Sequence, residues 1–184
     1  MCSPLLRGIE NTLEWVGCQN GVRYHPVDLQ RVPACRYQRS VFLPVPVEEA
    51  FAFHLNPENL RRISPPWTPV YHLKVPPRLD PGARVEVGVR ILGIWPQDWV
   101  VQIAEVLPSE RLVDIALSGP FPAWRHTHSF HPEAGGTWMT DLVEYDPPLG
   151  RWGRWAAPWA IQPMLTLLFW YRHARTKALL QPSS

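Results

Sequence analysis

Apolar and polar side chains alternate along most of the chain after residue 35, which is typical of strands that bury one face. One face of the first such stretch, RYQRSVFLPV, carries Tyr37, Arg39, Val41 and Leu43. Six further stretches follow, at residues 70–75, 84–92, 95–107, 111–117, 124–132 and 137–148. Because only short turns separate most of these stretches, the pattern predicts a meander of antiparallel strands.

In three segments the apolar residues recur at the spacing typical of helices instead of strands. Residues 46–55, PVEEAFAFHL, and residues 56–63, NPENLRRI, predict two short helices, each with a proline suited to its first turn. Residues 164–180, MLTLLFWYRHARTKALL, predict a long helix that begins after Pro163. The stripe expected to face the sheet consists of Leu167, Tyr171, Ala174 and Ala178.

This order of elements predicts an α+β protein. A strongly curved antiparallel sheet, wrapped around the long C-terminal helix and with two short helices after its first strand, would satisfy it. A cavity between helix and sheet is then a natural site for an apolar ligand. We assign this single domain to residues 36–184, and residues 1–35, which show no clean period, to an N-terminal extension.

Composition and charge narrow the class of protein. The 184 residues suffice for one domain with a substantial core. A net charge of +2, without basic clusters interleaved with aromatic residues, argues against a nucleic-acid partner. The cysteines Cys2, Cys18 and Cys35 match no zinc-binding spacing. Because the N-terminal residues lack the pattern of a signal peptide, we expect reduced thiols in a cytoplasmic protein.

Ten tryptophans and 22 prolines are unusual for a chain of this length. Tryptophan combines a large apolar area with one N–H donor, so this number indicates a wide apolar surface such as the wall of a cavity. The residues expected to line it are Trp99, Trp124, Phe130, Trp138 and Tyr171. The apolar segment 155–171 is shorter than a membrane span and contains two prolines, which favours a buried or cavity-covering helix.

A Trp-rich segment, DPPLGRWGRWAAPW at residues 146–159, is predicted to be a loop that leads into the last helix. Such a loop could serve as a gate for the cavity. Its Arg151 and Arg154 could instead meet anionic lipid head groups while the tryptophans touch the bilayer. Contact with a membrane or a partner protein through this segment is therefore kept as an alternative.

The segment GPFPAWRHTHSFHP contains three histidines. On a strand, side chains two positions apart share a face, so His126 and His128 lie on one face and His131 on the other. The first face also carries Trp124 and Phe130, whose size favours the cavity side. His126 and His128 are therefore predicted to act as a pair that His131 does not join.

Three interpretations of this pair remain open. The histidines could be hydrogen-bonded polar groups in a mixed wall, or they could move protons together with a carboxylate such as Asp141. A metal site would need a third ligand. The possible carboxylates for it are Asp114, Asp141 and Glu144, of which Asp141 and Glu144 point to opposite faces. No spacing singles out one of them, so neither a metal nor a cofactor is predicted.

Three segments together resemble the ligand-binding branch of the SRPBCC superfamily. They are VPVEEAFAFHLNPENLRRISPPW, GPFPAWRHTHSF and WMTDLVEYDPPLG. That superfamily includes START domains, Bet v 1-like proteins and the proteins related to polyketide cyclases and dehydrases. The resemblance covers about residues 36–181 and implies the helix-grip fold with a ligand cavity, but it implies no particular substrate.

We therefore expect a protein that binds a small hydrophobic or amphipathic molecule between the sheet and the last helix. Apolar burial would supply the affinity, and His126 and His128 would be polar anchors. The first alternative is a cyclase or dehydratase without a metal, whose candidate catalytic residues are His126, His128 and Asp141. The second is a peripheral membrane or interaction module that uses residues 146–159. Neither the ligand nor the oligomeric state follows from the sequence.

Overall fold

The computed structural model describes residues 33–181 and the backbone of two short strands near the N-terminus. These strands, β1 (Cys18–Gln19) and β2 (Val22–Arg23), pair antiparallel. Most of the predicted N-terminal extension, including Cys2, lies outside the described residues. Cys35, which begins the next strand, is a free thiol.

A curved antiparallel sheet of seven strands forms the body of the protein, in the order β3-β9-β8-β7-β6-β5-β4. The strands are β3 (Cys35–Leu43), β4 (Val70–Lys74), β5 (Arg84–Ile91), β6 (Trp95–Leu107), β7 (Arg111–Ser118), β8 (Ala123–Glu133) and β9 (Gly136–Asp146). Strands β4 to β9 form the predicted meander. The first strand of the sheet, β3, completes it by pairing with the last, β9.

Three helices accompany the sheet. Helices α1 (Val47–Leu55) and α2 (Asn59–Ile63) follow β3, and the long helix α3 (Gly150–Leu180) follows β9. This is the predicted helix-grip arrangement, and it is confirmed. Among the described helices, none is long and apolar enough to cross a membrane.

The alternation predicted for the first strand of the sheet is confirmed. Tyr37 and Leu43 are buried on the face of β3 that turns toward α3, which we call the inner face. The ring of Tyr37 lies 5.5 Å, between centroids, from the ring of Phe169 in α3. In the register with β9, Tyr37 lies opposite Val143 and Arg39 opposite Asp141. The inner face of the sheet is therefore the surface that packs against the long helix.

The apolar core consists of two clusters on this inner face. One cluster joins α1 to the sheet and includes Ala50, Phe51, Phe130 and Met139 together with Leu180 at the end of α3. The other cluster packs the middle of α3 against β3 and β9 through Tyr37, Val143, Tyr145, Leu165 and Phe169. Each large side chain contributes about 1.5–3 kcal/mol by leaving water.

Helix α3 begins earlier than expected. It starts at Gly150 and continues through Pro158 and Pro163, so most of the segment predicted to be a loop is helical. A proline inside a helix removes one N–H donor and leaves a carbonyl of the preceding turn without its partner. Both prolines lie on the exposed side of α3, where water can solvate that carbonyl.

The stripe of α3 that faces the sheet also differs from the expected one. The buried residues of its second half are Leu165, Phe169, His173, Thr176 and Leu180. Leu167, Ala174 and Ala178, which were expected to face the sheet, are exposed. The prediction was wrong because it considered only the apolar character of the side chains. His173 is polar, but it is buried because it bonds to Asp141 inside the protein.

A glycine allows α3 to pack against the turn that precedes it. A Cβ atom at Gly153 would lie 1.8 Å from the carbonyl oxygen of Pro148, far inside the contact distance of two atoms. Any other residue would push the first turns of the helix away from this turn.

Candidate functional site

A polar cluster lies on the inner face, between the two apolar clusters. Its centre is Asp141 of β9, whose side chain is almost completely buried. His126 and His128 approach it from β8, and His173 approaches it from α3. The strand alternation brings the first three side chains to one face, and the packing of α3 adds the fourth.

The carboxylate of Asp141 meets all three imidazoles. Nε2 of His126 donates to Oδ1 over 2.8 Å, and Nε2 of His173 donates to Oδ2 over 2.5 Å. Nδ1 of His128 lies 2.6 Å from the same oxygen, Oδ1, as an ion-pair contact. A carboxylate only accepts hydrogen bonds, so the nitrogens that bond to it carry the protons.

These contacts keep Asp141 ionised. Burial by itself would raise the pKa of Asp141, because a charge is poorly solvated inside a protein. The charge of His128 and the approach of the three imidazoles outweigh burial and hold the pKa of Asp141 well below its ordinary value. The cluster therefore has a negative charge at its centre.

Asp114 of β7 is a second carboxylate beside the same histidines. Its Oδ2 lies 3.7 Å from Nδ1 of His126 and 4.0 Å from Nε2 of His128. Burial raises the pKa of Asp114 to about 6, although the charges of His128 and Arg172 oppose this shift. Each of the two histidines of β8 thus faces Asp141 with one nitrogen and Asp114 with the other.

Two basic groups complete the cluster. His54 of α1 donates from Nδ1 to the carbonyl of Ala50 over 2.8 Å, and its ring centroid lies 5.3 Å from that of His128. Burial and the nearby charge of His128 lower the pKa of His54 to about 4, so it is neutral near pH 7. Arg172 of α3 stacks over the ring of Phe169 at 5.7 Å. Burial lowers the pKa of Arg172, whereas Asp141 and Asp114 raise it.

Two buried polar atoms of the cluster have no hydrogen-bond partner within residues 33–181. They are Nδ1 of His173 and Nε of Arg172. Buried polar atoms in folded proteins are nearly always hydrogen-bonded. These atoms are therefore free to bond with a polar group that enters from outside the chain.

A layer of aromatic side chains adjoins the cluster. The ring centroid of Trp124 lies 5.3 Å from that of Trp99 and 5.0 Å from that of Phe121. Phe121 also meets Tyr145 at 5.6 Å, edge to face. Phe169 links this part of the core to the polar cluster, because its ring lies 5.3 Å from that of His126. The inner face thus offers apolar and polar surfaces side by side.

The structure brings together most of the residues predicted from the sequence. His126, His128 and Asp141 form the centre of the polar cluster, and the two ring centroids of the histidines are 4.0 Å apart. His131 is exposed on the opposite face of β8, as predicted. Trp99 and Trp124 belong to the aromatic layer.

The other predicted wall residues are placed differently. Phe130 lies in the apolar core beside Phe51 at 5.5 Å and borders the cluster through His54, at 5.4 Å. Tyr171 packs against Trp67 at 5.3 Å, away from the buried stripe of α3. Trp138 is 44% exposed on the outer face of the sheet, where it contacts Phe42, so its prediction as a cavity wall is wrong. Trp138 and Asp141 lie on opposite faces of β9, because their positions in the strand differ by an odd number.

Three polar residues of the cluster were not predicted as site residues: His54, Arg172 and His173. His173 follows Phe169 by four positions, so the helical period could have indicated that the two share a face. Asp114 was considered only as one of three possible metal ligands. No local sequence pattern shows that His173 of α3 contacts Asp141 of β9, because that contact depends on how the helix packs against the sheet.

A surface groove of about 410 Å³ lies between α3 and β3. Its lining residues are Arg39, Pro158, Gln162, Pro163, Thr166, Leu167 and Trp170. Gln162 bridges the two elements by donating to the carbonyl of Arg36 over 2.9 Å. The groove is apolar in large part, and it lies on the side of α3 where the prolines are exposed.

The curved antiparallel sheet around a long C-terminal helix is the helix-grip fold, and its inner face combines polar and aromatic side chains. Residues 34–169 match the sequence profile of the family described as "Polyketide cyclase / dehydrase and lipid transport". This match spans well over half of the chain, and the protein belongs to that family. A search of curated protein sequences finds no match.

Solved structures share the fold at low sequence identity. Protein TTHA0849 from Thermus thermophilus is 18% identical, with a TM-score of 0.63 over 80% of this chain and 100% of its own. The di-domain ARO/CYC StfQ from the steffimycin biosynthetic pathway is 14% identical, with a TM-score of 0.66 over 79% of this chain and 50% of its own. Ara h 8.0201 is 12% identical, with a TM-score of 0.56 over 78% of this chain and 98% of its own.

Proposed function

We propose that the protein binds one small hydrophobic or amphipathic molecule between the inner face of the sheet and α3. The observation that carries this proposal is the pair of unpartnered polar atoms on His173 and Arg172, beside the aromatic layer of Trp99 and Trp124. An amphipathic molecule would satisfy both surfaces at once, with its polar group at the cluster and its apolar part against the aromatic rings.

The two parts of the site would have different effects on binding. Burial of the apolar part contributes about 25 cal/mol for each Å² removed from water, less the cost of ordering the ligand. A hydrogen bond to a charged group adds about 1.5–3 kcal/mol. The polar cluster would therefore fix the orientation of the ligand, and the aromatic layer would supply most of the affinity.

The description of the family agrees with this proposal. It includes lipid transport, and lipids are amphipathic.

Two fluorescent probes test the proposal. Anilinonaphthalene sulfonate is an amphipathic anion, and phenylnaphthylamine is a similar neutral molecule. We expect each to bind the native protein at one saturable site. The substitution Arg172→Met should weaken the sulfonate probe about tenfold or more, since a charge-assisted bond is lost, and should leave the neutral probe nearly unchanged.

A matched control lies on the same helix. Arg175 is exposed, so Arg175→Met should leave the affinity for both probes unchanged. The proposal is wrong if neither probe binds saturably, or if the two arginine variants weaken the sulfonate probe equally. Native mass spectrometry of the protein as purified would show directly whether a small molecule accompanies the chain.

A second candidate function is an enzyme of the cyclase or dehydratase type. The observation in its favour is that His126 and His128 each lie between two carboxylates beside the aromatic layer. Such a group could remove a proton next to a carbonyl and return it to another atom of the same substrate. The neighbour StfQ, described as an ARO/CYC protein, gives this candidate the support of a shared fold only.

Hydrogen–deuterium exchange separates the second candidate from the first. An acetoacetyl thioester in deuterated water exchanges the protons between its carbonyl groups, and NMR measures the rate. An enzyme of this type should accelerate exchange, and His126→Gln/His128→Gln should return the rate to that without protein. His131→Gln, on the outer face, is the control. An unchanged rate in the double variant would exclude these histidines as the proton carriers.

A further inference from the structure

Asp114, His126 and His128 direct one donor atom each toward a common point. Donor atoms from the three residues all lie within 4.8 Å of one another. Oδ2 of Asp114 is 3.7 Å from Nδ1 of His126 and 4.0 Å from Nε2 of His128. The three side chains come from the adjacent strands β7 and β8, in which Asp114 and His126 are paired residues. A rigid sheet therefore holds the three groups together.

Asp141 sets the orientation of both histidines. One of its oxygens, Oδ1, lies 2.8 Å from Nε2 of His126 and 2.6 Å from Nδ1 of His128. When these nitrogens carry the protons, the remaining nitrogen of each ring has a free lone pair that faces Asp114. A carboxylate behind a histidine, with the free lone pair in front, is the arrangement that orients histidine ligands in metalloproteins.

The distances are close to those that a metal ion requires. Bonds of about 2.0–2.2 Å to nitrogen and oxygen in a tetrahedral site place neighbouring donor atoms about 3.4 Å apart. The two separations from Asp114, 3.7 and 4.0 Å, exceed this by roughly half an ångström, and all three donor atoms lie within 4.8 Å of one another. Small rotations of the imidazole rings and of the Asp114 side chain would close that gap.

The charges around the point also suit a cation. Asp114 and Asp141 approach the histidines from opposite sides. Two basic side chains of α3 lie in this region: His173 donates to Asp141, and Arg172 has an Nε atom without a hydrogen-bond partner among the described residues. His54, on α1, donates from Nδ1 to the carbonyl of Ala50 rather than to either carboxylate.

We propose that Asp114, His126 and His128 bind one divalent transition-metal ion, with Asp141 as the carboxylate that orients the two histidines. Two imidazole nitrogens and one carboxylate oxygen suit ions such as Zn²⁺, Co²⁺ or Fe²⁺ better than Mg²⁺ or Ca²⁺, which prefer oxygen donors. Three protein ligands leave the fourth position of a tetrahedral ion open. This inference goes beyond ligand binding and proton transfer, neither of which requires a metal.

Cobalt titration tests the site, because Co²⁺ replaces zinc and absorbs visible light in a four-coordinate site. The full chain is treated with a chelator, dialysed and titrated with Co²⁺, and the visible spectrum is recorded. We expect one equivalent of Co²⁺ to bind and to give the strong bands of a four-coordinate ion. Competition with Zn²⁺ should remove these bands. No organic probe is present, so the result does not depend on the proposed ligand binding.

Variants locate the ion. Asp114→Asn removes a ligand and should weaken Co²⁺ binding more than a hundredfold, whereas Asp141→Asn disturbs only the orientation and should weaken it by about 10–100-fold. Asp114→Cys, which supplies a thiolate at nearly the same distance from the backbone as the carboxylate oxygen, should retain binding and add a sulfur-to-cobalt charge-transfer band. That gain cannot arise from a variant that has merely lost its fold.

Controls on the same strands complete the experiment. His131 of β8 and Glu144 of β9 lie on the outer face of the sheet, away from the proposed ligands. We therefore expect wild-type affinity for Co²⁺ in His131→Gln and in Glu144→Gln. The proposal is overturned if the wild type shows no four-coordinate spectrum. It is also overturned if Asp114→Asn binds Co²⁺ as tightly as these controls do, which would assign the ion to another site such as the cysteines.

Discussion

Asp141 joins three elements through one side chain. Its carboxylate accepts from His126 on β8 and from His173 on α3, and it lies against His128. The chain supplies this charge with enough partners to remain ionised although it is buried. Removal of the carboxylate would leave buried N–H groups without an acceptor, which is among the more costly changes inside a protein.

The first prediction follows from this position. Asp141→Ala should lower the free energy of unfolding by about 3–5 kcal/mol, because three imidazoles lose their common partner. Urea unfolding followed by circular dichroism measures the loss. The neighbouring Thr140→Ala is the control, since Thr140 faces outward and its hydroxyl bonds to that of Ser40 at an exposed position over 2.7 Å. We expect a loss of under about 1 kcal/mol there, and comparable losses in the two variants would refute the central role of Asp141.

At the scale of elements, α3 has two different faces. One face buries Leu165, Phe169 and His173 against the sheet. The first half of the helix exposes Trp152, Trp155 and Trp159 to 78%, 74% and 81%. Exposed tryptophans beside exposed arginines are typical of helices that lie in the surface of a membrane.

The second prediction concerns this exposed face. If it contacts a membrane, the protein should sediment with vesicles of phosphatidylcholine and phosphatidylglycerol, and less so as salt is added. Trp152→Ala/Trp155→Ala should weaken this binding about tenfold or more, since two large side chains no longer leave water. Trp95→Ala, which removes an exposed tryptophan from β6, should have no effect. Wild-type protein that stays in the supernatant would rule out the membrane function.

Helix α3 also shows which elements could not be predicted from the sequence. The alternation of strands and the two short helices could be predicted, because each depends on the side chains of one segment and its neighbours. The continuation of α3 through Pro158 and Pro163 could not be predicted from the sequence. Proline opposes a helix locally, but packing against the sheet and exposure of the freed carbonyls outweigh that cost.

At the scale of the whole molecule, the sheet is completed by the pairing of two strands that lie far apart in the chain. Strand β3 pairs along its full length with β9, from Cys35 opposite Tyr145 to Leu43 opposite Thr137. Side chains reinforce this pairing, since Thr137 donates to the carbonyl of Val45 over 2.9 Å and Asp146 accepts from the backbone of Ala34 over 2.9 Å. The domain therefore depends on β3 as much as on the meander.

The third prediction tests where the domain begins. A chain that starts at Pro33 keeps all of β3 and both core clusters, so it should unfold cooperatively, with native-like circular dichroism. A chain that starts at Arg39 loses the pairing of Cys35 and Tyr37 with β9 and should not fold. Failure of the first chain to fold would show that the N-terminal residues belong to the domain.

The sequence by itself determined which side chains share a face within each strand. It thereby placed His126 and His128 together, set His131 apart, and indicated the order of elements in the helix-grip fold. Only the tertiary structure decided that Asp114, Asp141 and His173 meet those histidines, and that Trp138 lies on the outer face. The reason is physical: periodicity reports the environment of one element, whereas a site assembled from separate elements depends on sheet order and on how the helix packs.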